Sequence, residues 1–134
     1  MIDMQLCLEI SKDRYEILNG FDEMLICGLS LGTISAVGSI YNYMPSLYNE
    51  IVKAFNNNDL ENARKLQQYS IKVVEILKKF GGAIRAGKAV MEFRGIDCGP
   101  VRPPIRRMTE IERSSLKKEL IDIGFFETIN YIDN

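Results

Sequence analysis

The sequence predicts an α/β chain that carries part of a parallel sheet followed by a long helical region. Only two short apolar runs read as strands, Tyr15 to Leu18 and Ala36-Val37-Gly38. A helical stretch joins them, and a strand–helix–strand unit crosses over into parallel pairing. Parallel sheets are normally covered on both faces and are seldom two strands alone, and a lone pair leaves two open edges. The rest of the sheet is therefore expected to lie outside these 134 residues.

Each element has a local reason. Met4, Cys7 and Leu8, with Leu6 and Ile10 less regularly, fall near one helical face, so residues 3–11 open the chain as a helix. The first strand ends at Asn19-Gly20. Asp22 and Glu23 suit the positive end of a second helix, which Leu25 and Leu29 give a face and Gly32 stops. After the second strand, Pro45 sits where a first helical turn tolerates it, and a helix runs to about Phe55. Asn56-Asn57-Asn58 is a turn, and Asp59 caps the longest helix, whose stripe holds Leu60, Ala63, Leu66, Val73, Val74 and Leu77. Gly81-Gly82 ends it, and another helix covers Ala83 to Phe93. Gly95 to Arg107, with its glycines and prolines, is an irregular connection. Thr109 and Glu112 make a T-x-x-E capping box for a last helix with Ile111, Leu116 and Leu120 in its stripe, closed by Gly124.

Composition narrows the chemistry. Hydrophobic residues make up 46% of the chain, enough for a core, and the net charge of −1 argues against a nucleic-acid binder. No apolar run approaches the ~18 residues of a membrane span, and the first residues carry Asp3 and Glu9 without a basic region, unlike a secretory signal. Three cysteines at unrelated spacings fit a reducing, cytoplasmic setting. Cys7 and Cys27 are expected as small core residues, whereas Cys98 falls in the Gly/Pro connection. Histidine is absent, which excludes a Ser-His-Asp triad, a Cys-His pair and a histidine zinc site within this chain.

In parallel α/β folds, function gathers in the loops after the strands. Those loops read Asn19-Gly20-Phe21-Asp22-Glu23 and Gly38-Ser39-Ile40-Tyr41-Asn42. Glycine at a strand end admits a ligand close to the backbone. Two carboxylates with a hydroxyl, a phenol and an amide suit a polyhydroxylated ligand better than a phosphate. The plain alternative is that Asp22 and Glu23 only stabilise a helix start. Tyr41 reads equally well as a ligand contact or a core aromatic.

G-F-D-E at the first loop and G-S-I-Y-N at the second resemble the last two barrel loops of the N-acetylneuraminate lyases. These are Schiff-base pyruvate aldolases of the dihydrodipicolinate synthase superfamily. The G-x-x-R-x-P of Gly99, Arg102 and Pro104 is similar to a superfamily-wide pattern, though a rigid helix connection explains it equally. The resemblance spans about Met4 to Phe126. The sequence departs from the pattern at Phe21, where tyrosine is common, and at Ile40, where threonine is common.

The resemblance implies the C-terminal part of a (β/α)8 TIM barrel: residues 1–44 as the barrel's end, and 45–134 as its last helix and a helical extension. It also implies that Gly20, Asp22, Glu23 and Ser39 bind the hydroxylated tail of a sialic acid or a related keto-sugar acid. The imine-forming lysine, the catalytic tyrosine and the carboxylate-binding loop would lie upstream, leaving this chain without catalytic residues and inactive alone. No metal or organic cofactor is implied. Expected partners are an upstream half-barrel or further copies of the subunit. Lys12, before the first strand, falls at the opposite end of a barrel, and Lys88 lies on a later helix, so both read as ordinary lysines. Two alternatives stand beside this: a truncated product acting only through subunit association, and an aldolase or dehydratase for another 2-keto-3-deoxy sugar acid.

Overall fold

The computed structural model describes residues 1–133. Helix α1 (Ile2–Ser11) leads through a short 3-10 turn into strand β1 (Leu18–Asn19). A turn at Asp22–Met24 opens α2 (Leu25–Ser30), and β2 (Ser35–Ala36) follows. The two strands pair in parallel, with Leu18 opposite Ser35 and Asn19 opposite Ala36, as the strand–helix–strand reading requires. Each strand is two residues long, and β1 starts later than the apolar run suggests: Tyr15 follows the 3-10 turn and stays outside the ladder. Residues 16–18 cannot show from sequence which of them will find a ladder partner.

Beyond the sheet the chain is helical: α3 (Pro45–Asn56), α4 (Leu60–Lys79), α5 (Gly82–Phe93), α6 (Glu110–Asp122) and α7 (Phe125–Asp133). The start signals perform as read. Pro45 occupies the first turn of α3, Asp59 accepts from the Asn62 N–H at 3.1 Å, and both halves of the Thr109–Glu112 capping box form. Gly124, at φ +67, does end α6, but the chain turns there into α7, which the sequence reading did not contain. The tertiary contact explains it, since Phe125 and Ile129 are wholly buried against the core.

The core sits among α3, α4 and α5, with Leu47, Ile51, Val73, Leu77 and Val90 buried and Leu116 and Leu120 sealing it from α6. Its α4 members recur at helical spacing, so burial and periodicity agree. The connection before α6 is held from below. Lys88 Nζ donates to the carbonyls of Cys98, Gly99 and Pro100 at 2.6, 3.2 and 3.3 Å. Arg85, buried, donates to the carbonyls of Phe80, Arg106 and Arg107 and to Glu112.

The first helix corrects one expectation. Ile2, Leu6 and Ile10 are exposed, and so is Cys7, which is therefore not a core residue. Among the described residues nothing packs over that face. Cys27 is only partly buried and lies outside the core cluster, short of the core position expected for it. No helix among the described residues is long and apolar enough to cross a membrane.

Candidate functional site

The two loops after the strands meet because one carboxylate ties them together. Asn19 ends β1 fully buried, and its Nδ2 donates to the Phe21 carbonyl at 3.0 Å, folding the first loop back on itself. Its side chain lies on Gly28 of α2, where an added Cβ would stand 2.8 Å from it. The fold-back turns Asp22 inward, 6% exposed, and its Oδ2 accepts from the Ile40 backbone N–H at 3.1 Å. Ile40 opens the 3-10 turn after β2, so Asp22 serves as that turn's anchor from another loop. Oδ1, also buried, has no partner among the described residues. It rests against Gly38, where a Cβ would stand 1.6 Å away. Burial raises the Asp22 pKa above the ordinary value, the Ile40 N–H pulls it back, and the neighbouring Glu23 charge adds to the rise.

Glu23 faces α4. Lys78 Nζ lies 3.2 Å from its Oε1 and 2.8 Å from Glu75 Oε1. Hydrogen bonds to Glu75 first and Glu23 second hold the ammonium above its usual pKa. Gly20 is exposed, with open space where a side chain would be. Ser39 is exposed too; its carbonyl accepts from Asn42 Nδ2 at 2.9 Å, and its hydroxyl makes no bond among the described residues.

All four expected residues line one cleft of about 330 Å³, together with Phe21 and Ile40. Val74, Leu77 and Lys78 of α4 form its far wall. One side thus offers carboxylate and hydroxyl oxygens, the other apolar surface and a lysine. Tyr41 falls on the core side of the question: its ring packs on Tyr48 with centroids 4.3 Å apart, and its hydroxyl is buried. Burial, then the Asp22 charge, pushes its pKa up to about 12, so it stays a neutral phenol at ordinary pH. Lys12 lines a separate cleft with Tyr15 and Glu16, which precede β1, and Gly32, which precedes β2, at the end away from the loops. Among the described residues no cluster of histidine, cysteine or carboxylate side chains is placed to hold a metal.

Two contributors escape the sequence reading. Gln67, 7% exposed on α4, bonds the 22–26 turn, and Lys78 on the same helix meets Glu23. Their signal is faint but present: Gln67 and Ser70 are polar residues inside the buried stripe of α4, where a side-chain amide needs a partner.

Comparison with known proteins places this geometry. Residues 2–123 match the dihydrodipicolinate synthetase family. An N-acetylneuraminate lyase of Rattus norvegicus is 31% identical over 127 residues, covering 93% of this chain and 40% of its own length. One from Danio rerio is 36% identical over 105 residues, covering 77% of this chain and 34% of its own. Among solved structures, Proteus mirabilis N-acetylneuraminate lyase superposes with a TM-score of 0.85 at 34% identity, over 92% of this chain and 42% of that one. The chain thus spans about two fifths of the length of the relatives it matches, and its two parallel strands and helices correspond to part of a TIM barrel. The chain belongs to the dihydrodipicolinate synthetase family.

Proposed function

We propose that this chain is the closing portion of an N-acetylneuraminate lyase-like aldolase and supplies its sugar-recognising rim. The observation that carries the reading is the single cleft shared by Gly20, Asp22, Glu23 and Ser39. The exposed Ser39 hydroxyl has bonding capacity to spare, which suits a hydroxyl group of a ligand, while Asp22, turned inward, shapes the rim by holding the second loop. Glu23 accepts further bonds while Lys78 balances its charge, and the Gly20 backbone is open to close approach. In the proposed reaction a lysine imine forms at the keto carbon of the open-chain sugar acid. The hydroxyl on the fourth carbon gives up its proton as the bond between the third and fourth carbons breaks, which releases N-acetylmannosamine. The imine takes up the electron pair as an enamine, a proton returns to the third carbon, and hydrolysis releases pyruvate and the lysine.

The imine-forming lysine is assigned to an upstream segment. Lys88 bonds three carbonyls, and Lys12 lies at the far end of the strands. Lys78 is in the cleft, but its raised pKa is the reverse of what an attacking amine needs. Residues 1–44 then close the barrel, and 45–134 hold its last helix and the helical continuation. Leu18, Ile34 and Val37 at the sheet, with Ile34 83% exposed, favour an upstream half-barrel as the covering partner.

Incubation with pyruvate and borohydride tests the assignment, with and without an upstream half-barrel carrying the remaining strands. No covalent mass gain is expected on this chain in either case, with labelling confined to the added half. A labelled lysine in this chain refutes the assignment. Labelling of neither half favours a role in subunit association alone. Turnover of shorter 2-keto-3-deoxy sugar acids in preference to N-acetylneuraminate would transfer the reading to a sister aldolase, as Phe21 and Ile40 at the cleft allow.

A further inference from the structure

The turn that aims Asp22 and Glu23 is completed by a residue far along the chain. Ile26 follows Asp22 by four residues, the spacing of an α-helical hydrogen bond. The Gln67 carboxamide stands in that place instead. Its Oε1 accepts from the Ile26 N–H at 3.3 Å, and its Nε2 donates to the Asp22 carbonyl at 3.1 Å. The same Nε2 reaches Ser70 Oγ at 2.9 Å, and Ser70 in turn donates to the Gln67 carbonyl at 2.8 Å. A buried amide is suited to this because it accepts and donates at once; a thioether or a carboxylate does only one or neither.

We infer that Gln67 is a positioning residue, whose carboxamide sets the Asp22–Ile26 turn and through it the placement of both cleft carboxylates. Gln67, Val74, Leu77 and Lys78 lie along one side of α4, so the helix that clamps the turn also walls the cleft. Glu23 is thus held at two points, by the turn behind it and by Lys78 in front. The ligand class rests on the proposed function; the clamp itself does not.

The test uses the whole chain with Gln67→Met and Gln67→Glu. Exchange of the Ile40 amide, whose acceptor is Asp22, is compared with that of Ala86 in the buried middle of α5. The Asp22 carboxyl is titrated by carbon NMR, and N-acetylneuraminate binding is followed by chemical-shift changes. In Gln67→Met the Ile40 amide should exchange about tenfold faster relative to Ala86, and sugar affinity should fall about tenfold, the loss expected when a buried hydrogen bond is removed. The Asp22 pKa should move down toward its ordinary value as the turn loosens. Gln67→Glu should match the methionine variant at neutral pH and recover as its own carboxyl gains a proton, because a carboxylic acid accepts from the Ile26 N–H at one oxygen and donates its single proton to the Asp22 carbonyl from the other. Gln67→Met should show no such recovery.

Equal acceleration at Ile40 and Ala86, or an unchanged Asp22 titration, overturns the inference, since a merely structural residue loosens the core as a whole. Should Gln67→Met fail to fold, the absence of acid recovery in Gln67→Glu overturns it. Wild-type protein that ignores the sugar even with the upstream half-barrel added, while Gln67→Met still shifts Ile40 and Asp22, refutes the sugar reading and upholds the clamp. Sugar binding that Gln67→Met leaves unaltered while Ile40 and Asp22 shift refutes the part given to these carboxylates in sugar recognition and upholds the clamp.

Discussion

Gly38→Ala is the most direct probe of the carboxylate that joins the two loops. The backbone at Gly38 is in an ordinary region, so alanine is not strained by conformation, and the loss of unfolded-state freedom alone would stabilise by about 0.4–1 kcal/mol. Geometry reverses that sign. The new Cβ would sit 1.6 Å from Asp22 Oδ1, 2.4 Å from its Cγ and 2.7 Å from Oδ2. No carboxylate rotation about its last bond clears all three atoms, so Asp22 must leave the Ile40 N–H. Losing a hydrogen bond to a charged group costs roughly 1.5–3 kcal/mol. Residual crowding adds roughly 1–3 kcal/mol. The net destabilisation is about 2–5 kcal/mol, or a melting temperature lower by about 6–20 °C in a domain of this size. Denaturant unfolding of four proteins measures it: wild type, Gly38→Ala, Asp22→Ala and the double variant. With Asp22 shortened the clash disappears, so Gly38→Ala should cost under about 1 kcal/mol in that background. A full cost in both backgrounds, or a Gly38→Ala protein as stable as wild type, refutes the contact. Gly20→Ala is the control, with open space at its side-chain position and an expected change within about 0.5 kcal/mol.

Other outcomes follow from the same structure. Arg85→Met should destabilise by about 2–4 kcal/mol in urea unfolding, because it removes four hydrogen bonds and leaves the carbonyls of Phe80, Arg106 and Arg107 without this donor, while Arg106 still pairs with Glu112. Thr109→Ala should lower stability by about 1 kcal/mol and fray the start of α6 in amide exchange. Glu112 and Asp22 should pull stability in opposite directions with pH. Arg106, the Thr109 N–H and Arg85 hold the Glu112 carboxyl far below its usual range, so its stabilisation is complete above the unfolded value and is lost as pH falls toward the folded one. Burial raises Asp22, so its contribution is most favourable in acid and is lost as pH rises through its folded pKa. Unfolding titrations of Glu112→Gln and Asp22→Asn against wild type should therefore slope with opposite signs below neutrality. Lys88→Met should free the 98–100 backbone and speed limited proteolysis there, leaving α5 protected.

Local signals carried much of the fold. Pro45 marks a helix start by its fixed backbone angle and missing donor, and Asp59 and the Thr109–Glu112 pair by bonds within a turn, so all are legible without any partner surface. The parallel order of the strands followed from the length of the connection and the two loops from their place at strand ends, whereas the choice of Gly20, Asp22, Glu23 and Ser39 within them came from the family resemblance. Where elements depend on distant contacts, the sequence was mute. Helix α7 exists because Phe125 and Ile129 find the core, and the apolar face of α1 with Cys7 finds nothing among the described residues. The sequence by itself determined which chemical groups stand at the rim. Only the tertiary structure decided that Asp22 turns inward to grip Ile40, that Lys78 balances Glu23, and that Gln67 closes the turn across 41–45 residues of chain. The physical reason is that hydrogen bonds and ion pairs depend on distance in space, and separation along the chain does not reveal it.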